Sequence, residues 1–254
     1  MLATHDRTAL VTYAALVVVT AGAWVAMLWL SMGGEDMAGM EMAMTPTLGA
    51  GVAFVAAWAI MMAAMMLPSA MPMIGLYAAT QRSAVNATTT SVTVITFALM
   101  YVALWALTGV PIYFASVALM AVPPATLAYT IAAVLVVAGL FQLSPLKQVC
   151  LRHCRSPLGF LLGHWRAGWR GAVSMGGAHA LYCLGCCWAL MMVLVVVGAM
   201  GLPWVLLIAC VVAAEKILSR GEWIARMTGV ALALLGVAVA AEPGLAALLR
   251  AWAM

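Results

Sequence analysis

One apolar stretch of the chain combines a histidine with three cysteines, in the order His179-Ala-Leu-Tyr-Cys183-Leu-Gly-Cys186-Cys187. At about 3.6 residues per turn, His179, Cys183 and either Cys186 or Cys187 fall on the same face of a helix. Imidazole and thiolate groups bind Zn²⁺ and copper, and thiolates favour the soft ion Cu(I). One helix rarely completes a metal site, so we expect ligands from a second helix. The alternative is that these cysteines act as small apolar residues in a closely packed helix.

A second pair, Cys150 and Cys154, encloses His153 in a basic segment. The two thiols share a helical face if the preceding helix continues beyond Lys147. This pattern is half of a zinc or copper site at the cytoplasmic surface, or an interfacial helix that carries two reduced thiols. The six cysteines do not define a disulfide framework, because four of them lie within apolar runs.

An acidic loop at residues 33–47 is rich in methionine and contains Met37, Met40 and Met42 beside carboxylates. Thioether sulfur suits Cu(I) and needs no deprotonation, so this loop could collect the ion at the outer face of a membrane. Methionine is also an ordinary flexible apolar residue, and a loop without metal is an equally good interpretation.

Two further methionines, Met62 and Met65, lie in an apolar run that contains prolines. Counted inward from opposite membrane faces, they reach the same depth as Cys183 to Cys187, near the midplane of a bilayer. If the two helices touch, thioethers and thiolates complete one soft-metal site. Otherwise the methionines serve packing.

The elements that must position these residues are transmembrane helices. Of the 254 residues, 67% are hydrophobic and 7% are charged, whereas roughly a quarter of the residues of a soluble domain are charged. We predict an all-α, polytopic transmembrane bundle of about seven spans, forming a single integral membrane domain over residues 1–254. The apolar runs lie at about 9–31, 48–77, 89–118, 126–143, 172–200, 203–215 and 223–241.

The distribution of charge orients this bundle. A cytoplasmic N-terminus places every Lys and Arg except Arg250 on the inner side, as the positive-inside rule requires. The basic segment 144–171 interleaves aromatic and cationic residues, so we expect it to lie along the anionic inner leaflet. Glu215 and Lys216 end the sixth run near the inner face. There Lys216 can extend its ammonium to the membrane interface, and Glu215 can pair with Lys216 or with another cation.

The sequence lacks the motifs of nucleotide-driven and hydrolytic enzymes. There is no Walker loop, dinucleotide fingerprint, Ser-His-Asp pattern or HExxH motif. We therefore expect a binding or transfer function rather than an enzyme. The lipid bilayer accounts for the basic segment, and no nucleic-acid partner is expected.

Three motifs resemble a bacterial domain-of-unknown-function family labelled "predicted metal-binding integral membrane protein". They are WAIMMAAMMLP at 58–68, PLKQVCLRHCRSPL at 145–158 and HALYCLGCCWALM at 179–191. Glu215-Lys216 also matches, and the resemblance covers about residues 50–240. It implies a multi-pass helical protein of the bacterial inner membrane. The metal-binding label then falls on Cys150, Cys154, Cys183, Cys186 and Cys187.

These observations favour a membrane protein that binds a soft metal, Cu(I) or alternatively zinc, for transport, storage or delivery. The recipient would be a membrane-bound metalloenzyme or a metallochaperone. In this hypothesis the outer-loop methionines collect the ion, and Met62 and Met65 hold it together with Cys183, Cys186 or Cys187. The inner end of the path consists of His179, Cys154 and Cys150.

Two other functions fit the same residues. In the first, the protein is an intramembrane thiol-disulfide carrier, in which Cys183 and Cys186 exchange electrons with Cys150 and Cys154. In the second, it is a structural accessory subunit of a membrane enzyme complex, and the metal-like residues serve packing.

Overall fold

The computed structural model describes residues 2–32, 47–80, 87–198 and 201–252, and these residues form helices and short connections without strands. The helices are α1 (Leu2–Met32), α2 (Leu48–Thr80), α3 (Ala87–Leu107), α4 (Gly109–Met120), α5 (Pro124–Leu143), α6 (Pro145–Arg155), α7 (Pro157–His164), α8 (Gly168–Gly198), α9 (Leu202–Ile217), α10 (Gly221–Ala241) and α11 (Gly244–Ala251).

Six segments in the described ranges are long and apolar enough to cross a membrane, which confirms an all-helical fold with membrane-length helices. They are Leu10–Leu30, Leu48–Thr80, Thr90–Met120, Thr126–Leu143, Gly168–Gly198 and Gly221–Ala241. The seventh predicted run, 203–215, corresponds to α9, which has only 16 residues. A spanning helix needs about 20 residues, so the count of seven and the side of the N-terminus stay predictions.

Prolines decide where several helices begin and break. The predicted run 89–118 is divided at Thr108 into α3 and α4, because Pro111 has no amide hydrogen to bond the carbonyl of Leu107. Thr108 secures the break, since its hydroxyl donates to the carbonyl of Trp105 (2.6 Å) and accepts from the indole Nε1 of Trp58 (3.0 Å).

The cysteines at 150 and 154 belong to a separate helix rather than to a continuation of α5. The chain turns at Ser144, whose hydroxyl accepts a hydrogen bond from the amide of Lys147 at 3.2 Å, and α6 starts at Pro145. Proline is favoured in the first turn of a helix, where its missing amide hydrogen would have no partner. Cys150 and Cys154 still share a face, but the turn allows α6 to take its own direction.

The centre of the bundle is α8. In its apolar part 67% of the residues are buried inside the protein, against 17% in α1, which packs on α2 at the periphery. Helix α8 contacts α3, α5 and α6. Small residues permit the closest approach, since a Cβ atom at Gly176 would lie 2.5 Å from the carbonyl oxygen of Phe97 in α3.

Helix α6 packs into the bundle instead of resting wholly on its surface. Lys147 is fully buried, and its ammonium lies 2.6 Å from Glu215 Oε2. Gln142 completes the network, because its side-chain oxygen accepts from Lys147 and its Nε2 donates to Glu215 Oε1 at 2.9 Å. The cation that pairs with Glu215 is therefore Lys147, and Lys216 is left to find another partner.

We expect Lys147→Met to lower the free energy of unfolding by about 3–5 kcal/mol, because it leaves the Glu215 carboxylate buried without its cation. The Lys147→Met/Glu215→Met double variant should recover most of this loss. Denaturant unfolding in detergent, followed by circular dichroism, measures both. The matched control is Arg152→Gln, which breaks the exposed ion pair of Arg152 with Glu222 and should have little effect. Equal losses in Lys147→Met and in the control would contradict the buried network.

Candidate metal centre

Cys183 is the point at which four helices meet. Its side chain is buried at 1% exposure in α8, and its Sγ lies 3.0 Å from the Tyr101 hydroxyl of α3. The same sulfur lies 2.9 Å from the ammonium of Lys216 in α9. Lys216 also donates to the hydroxyl of Ser69 in α2 at 3.2 Å. Polar side chains of α3 and α9 therefore contact this thiol directly, and Ser69 of α2 is linked to it through Lys216.

Lys216 has no carboxylate within ion-pair distance among the described residues. The neighbouring Glu215 pairs with Lys147 instead. A buried ammonium is costly unless an anion compensates it. The neighbouring group that can supply a negative charge is the Cys183 sulfur, and a cation beside a cysteine favours its thiolate form. The site therefore places a sulfur atom beside a cation in an apolar interior.

The two cysteine motifs meet at the interface between α6 and α8. Cys154 Sγ lies 3.8 Å from Cys186 Sγ, and both side chains are buried. Hydrogen bonds with Cys183 and Cys186, together with burial, hold the pKa of the Cys154 thiol well above its usual range. Cys154 is thus a neutral thiol next to a group of sulfur atoms, and it must lose its proton to bind a metal.

The remaining cysteines of the two motifs lie at the edge of this group. Cys187 donates from Sγ to the carbonyl of Cys183 at 2.8 Å, and Cys186 makes the same bond at 3.1 Å. Cys150 is half-buried against α8, where a Cβ atom at Gly185 would lie 2.8 Å from its sulfur. Burial and the neighbouring Cys186 raise the pKa of the Cys150 thiol.

His179 lies one turn before Cys183 on α8 and is 3% exposed. Its ring is stacked on Tyr101, with 5.5 Å between the centroids, and meets the edge of Phe160 at the same distance. The ring nitrogen Nδ1 has no hydrogen-bond partner in the described part of the chain. An unpaired buried nitrogen costs about 1–3 kcal/mol, and it is free to act as a metal ligand.

The remaining predicted ligands make contacts of their own. His153 stacks flat on Tyr182 at 4.3 Å, and its Nδ1 lies 2.9 Å from the carbonyl oxygen of Val149. Met62 and Met65 are buried in α2, but the hydrogen bonds between α2 and the Cys183 neighbourhood run through Ser69 and the carbonyl of Met66. The loop residues Met37, Met40 and Met42 lie outside the described residues.

Sequence reasoning missed Tyr101 and Ser69 and gave Lys216 an interfacial role. The signal for Lys216 was present, because a charged residue at the end of an apolar run can point inward as well as toward the surface. Tyr101 and Ser69 carry no such signal, since single hydroxyl groups are common in apolar helices and their partners depend on packing.

The arrangement is a small group of sulfur donors rather than a closed polyhedron of ligands. In the part of the chain that the structure describes, no three or more His, Cys, Asp and Glu side chains are arranged as a metal site. The close pair is Cys154 with Cys186, and Cys183 lies next to it. Paired sulfur donors suit Cu(I), which accepts few ligands, better than they suit the four-ligand structural sites of zinc.

A family model described as "PpoB2: Copper chaperone" matches residues 55–239. The matching region runs from α2 to near the end of α10 and contains all six cysteines together with Tyr101 and Lys216. It excludes the methionine-rich loop at 33–47. No curated protein and no solved structure gives a significant match to the chain.

Treatment with the membrane-permeable oxidant diamide should link Cys154 to Cys186, because their sulfurs need only approach from 3.8 Å to about 2.05 Å. Mass spectrometry of proteolytic fragments should detect the peptide that joins α6 to α8. The Cys186→Ser variant, which retains Cys187, serves as the control and should give little of this link. An equal yield of a Cys154–Cys187 link in the control would contradict the arrangement of the sulfurs.

Proposed function

The chain belongs to the PpoB2 copper chaperone family, and from this membership and its buried sulfur group we propose that it holds Cu(I) as cargo and delivers it to a membrane-bound metalloenzyme. Membership gives the protein a copper-related role. The observation that carries the finer proposal is the Lys216 ammonium, 2.9 Å from the sulfur of Cys183 and beside the Cys154–Cys186 pair.

Charge balance is the argument for the monovalent ion. Two thiolates and one Cu(I) carry a net single negative charge, which the Lys216 ammonium neutralises. Two thiolates and one Zn²⁺ are already neutral and would leave Lys216 uncompensated in the interior. Uncompensated charge is strongly disfavoured in a low-dielectric site, so a lysine at this position favours Cu(I) over zinc.

The two thiolate ligands that we propose are Cys183 and Cys186, with the neutral thiol of Cys154 and the ring of His179 as adjacent donors. Thiolates bind Cu(I) tightly, so release depends on exchange from one sulfur to a neighbouring sulfur rather than on free diffusion. The half-buried Cys150 is the next thiol outward on α6. Such stepwise exchange suits storage and delivery better than rapid conduction.

The remainder of the path is also part of the proposal. Met62 and Met65 would hold the ion on the α2 side of the bundle, and Met37, Met40 and Met42 would collect it outside. We place the protein in the bacterial inner membrane as a single multi-pass domain, with a cytoplasmic N-terminus that follows from the positive-inside rule. Its partner would be the metalloenzyme that receives the ion.

A second candidate function is thiol-disulfide exchange, which the 3.8 Å separation of the Cys154 and Cys186 sulfurs favours. Oxidation of these two thiols releases two protons and two electrons to the disulfide of a partner protein, and one intramolecular disulfide forms. If this candidate is correct, the Cys154–Cys186 disulfide is present in protein trapped from growing cells, in a share that changes with the supply of oxidant.

Protein purified in mild detergent under reducing, oxygen-free conditions should bind about one Cu(I), because two thiolates and the Lys216 ammonium together balance the charge of one monovalent ion. The Cys183→Ser variant should lose most of this copper. The Cys210→Ser variant is the matched control, since Cys210 is an exposed thiol on α9, and it should retain copper. Elemental analysis decides the outcome. Equal copper in both variants, or zinc in place of copper in the native protein, would refute the proposed site.

Lys216→Met should lower the affinity for Cu(I) at least about tenfold, equivalent to about 1.4 kcal/mol, because the copper-thiolate group keeps its negative charge uncompensated. Lys216→Arg retains the charge and should lose less. Competition with a chromophoric Cu(I) chelator measures both affinities. An affinity of Lys216→Met equal to that of the native protein would show that charge balance does not select the ion.

A further inference from the structure

An arginine-rich cavity lies at the ends of α6, α9 and α10 and takes no part in the copper site. It is open and has a volume of about 710 Å³. The residues that define it are Arg152, Arg155, Arg220, Arg226, Glu222 and Trp223. We call it the arginine cavity.

The charges of the arginine cavity are only partly compensated. Arg152 donates from Nε to Glu222 Oε1 at 2.9 Å. Arg155 donates to the backbone carbonyls of Leu218 (2.6 Å) and Ser219 (2.9 Å) in the turn between α9 and α10. Arg220 and Arg226 have no carboxylate within ion-pair distance among the described residues.

The first turn of α10 adds to the positive field. The helix begins at Gly221 after Arg220, and the amides of Gly221 and Trp223 donate to the carbonyls of Leu218 (3.1 Å) and Arg220 (3.0 Å). The helix dipole, rather than free amides, favours an anion at this end. Arginine forks bind phosphate through paired hydrogen bonds, so two guanidinium groups without an ion-pair partner among the described residues suit a phosphate group.

The surroundings of the arginine cavity indicate where the phosphate comes from. Trp223 is 61% exposed and lies on its wall, and Ile217 and Leu218 are 57% and 51% exposed in the adjoining turn. Exposed tryptophan and aliphatic residues beside cations are typical of the depth at which lipid headgroups meet the acyl chains. Basic pockets between transmembrane helices bind anionic headgroups.

We propose that the arginine cavity binds the phosphate group of an anionic phospholipid. Such a lipid bridges Arg220 and Arg226 to Arg152 on α6 and places its acyl chains against the exposed apolar residues of α9 and α10. This proposal does not depend on copper binding. It gives α6, the helix that carries Cys154, a lipid-dependent attachment to α10.

The test is native mass spectrometry of the full-length protein in detergent with phosphatidylglycerol or phosphatidylcholine added. The native protein should retain phosphatidylglycerol at least about tenfold better than phosphatidylcholine, equivalent to about 1.4 kcal/mol. The Arg220→Gln/Arg226→Gln variant should lose this preference. The control is Arg166→Gln/Arg170→Gln, which removes the same number of arginines outside the cavity and should keep it.

A separate arm uses inorganic phosphate. Millimolar phosphate that displaces phosphatidylglycerol and raises the unfolding temperature as much as the lipid does would overturn the lipid assignment in favour of a soluble phosphate compound. Equal retention of the two lipids by the native protein, or unchanged preference in Arg220→Gln/Arg226→Gln, would overturn the site altogether. If the double variant fails to fold, Arg226→Gln alone replaces it, and the comparison of lipids in the native protein still decides.

Discussion

The constraint on which this structure depends is the need to compensate two buried ammonium groups in an apolar bundle. The Lys147 ammonium lies 2.6 Å from Glu215 Oε2, and the Lys216 ammonium lies 2.9 Å from the sulfur of Cys183. The two contacts involve adjacent residues of α9, which point about 100° apart around the helix. One contact therefore faces α5 and α6, and the other faces α2, α3 and α8.

This constraint also explains why the cysteines converge. Lys147 lies on α6, and its buried ion pair holds that helix inside the bundle. Cys154 lies two turns after Lys147 on the same face of α6, and its sulfur is 3.8 Å from that of Cys186. Without the turn at Ser144, α6 would continue the direction of α5. The sulfur group is thus a consequence of two things, a helix break and a buried charge pair, neither of which contains a metal ligand.

The family match and the sulfur group cover the same part of the chain. The region that matches the copper chaperone family includes α2 to α10, with every cysteine and both buried lysines, and it leaves out the methionine-rich loop. In our proposal, the charge of Lys216 is what selects a monovalent ion. Arg152 and Arg155 of α6 line the arginine cavity, so the same short helix contacts the sulfur group and the surface that we assign to lipid.

The sequence by itself determined the class of protein and the local geometry of each motif. Composition and apolar runs predicted a helical membrane fold, and helical periodicity placed His179 and Cys183 on one face and Cys150 and Cys154 on another. Only the tertiary structure decided that Cys154 meets Cys186, that Glu215 pairs with Lys147, and that Tyr101 and Lys216 approach Cys183. Periodicity reports which face of its own helix a residue occupies, because it follows from backbone geometry. Which neighbour that face meets depends on the packing of several helices, and adjacent residues such as Glu215 and Lys216 therefore acquire different partners.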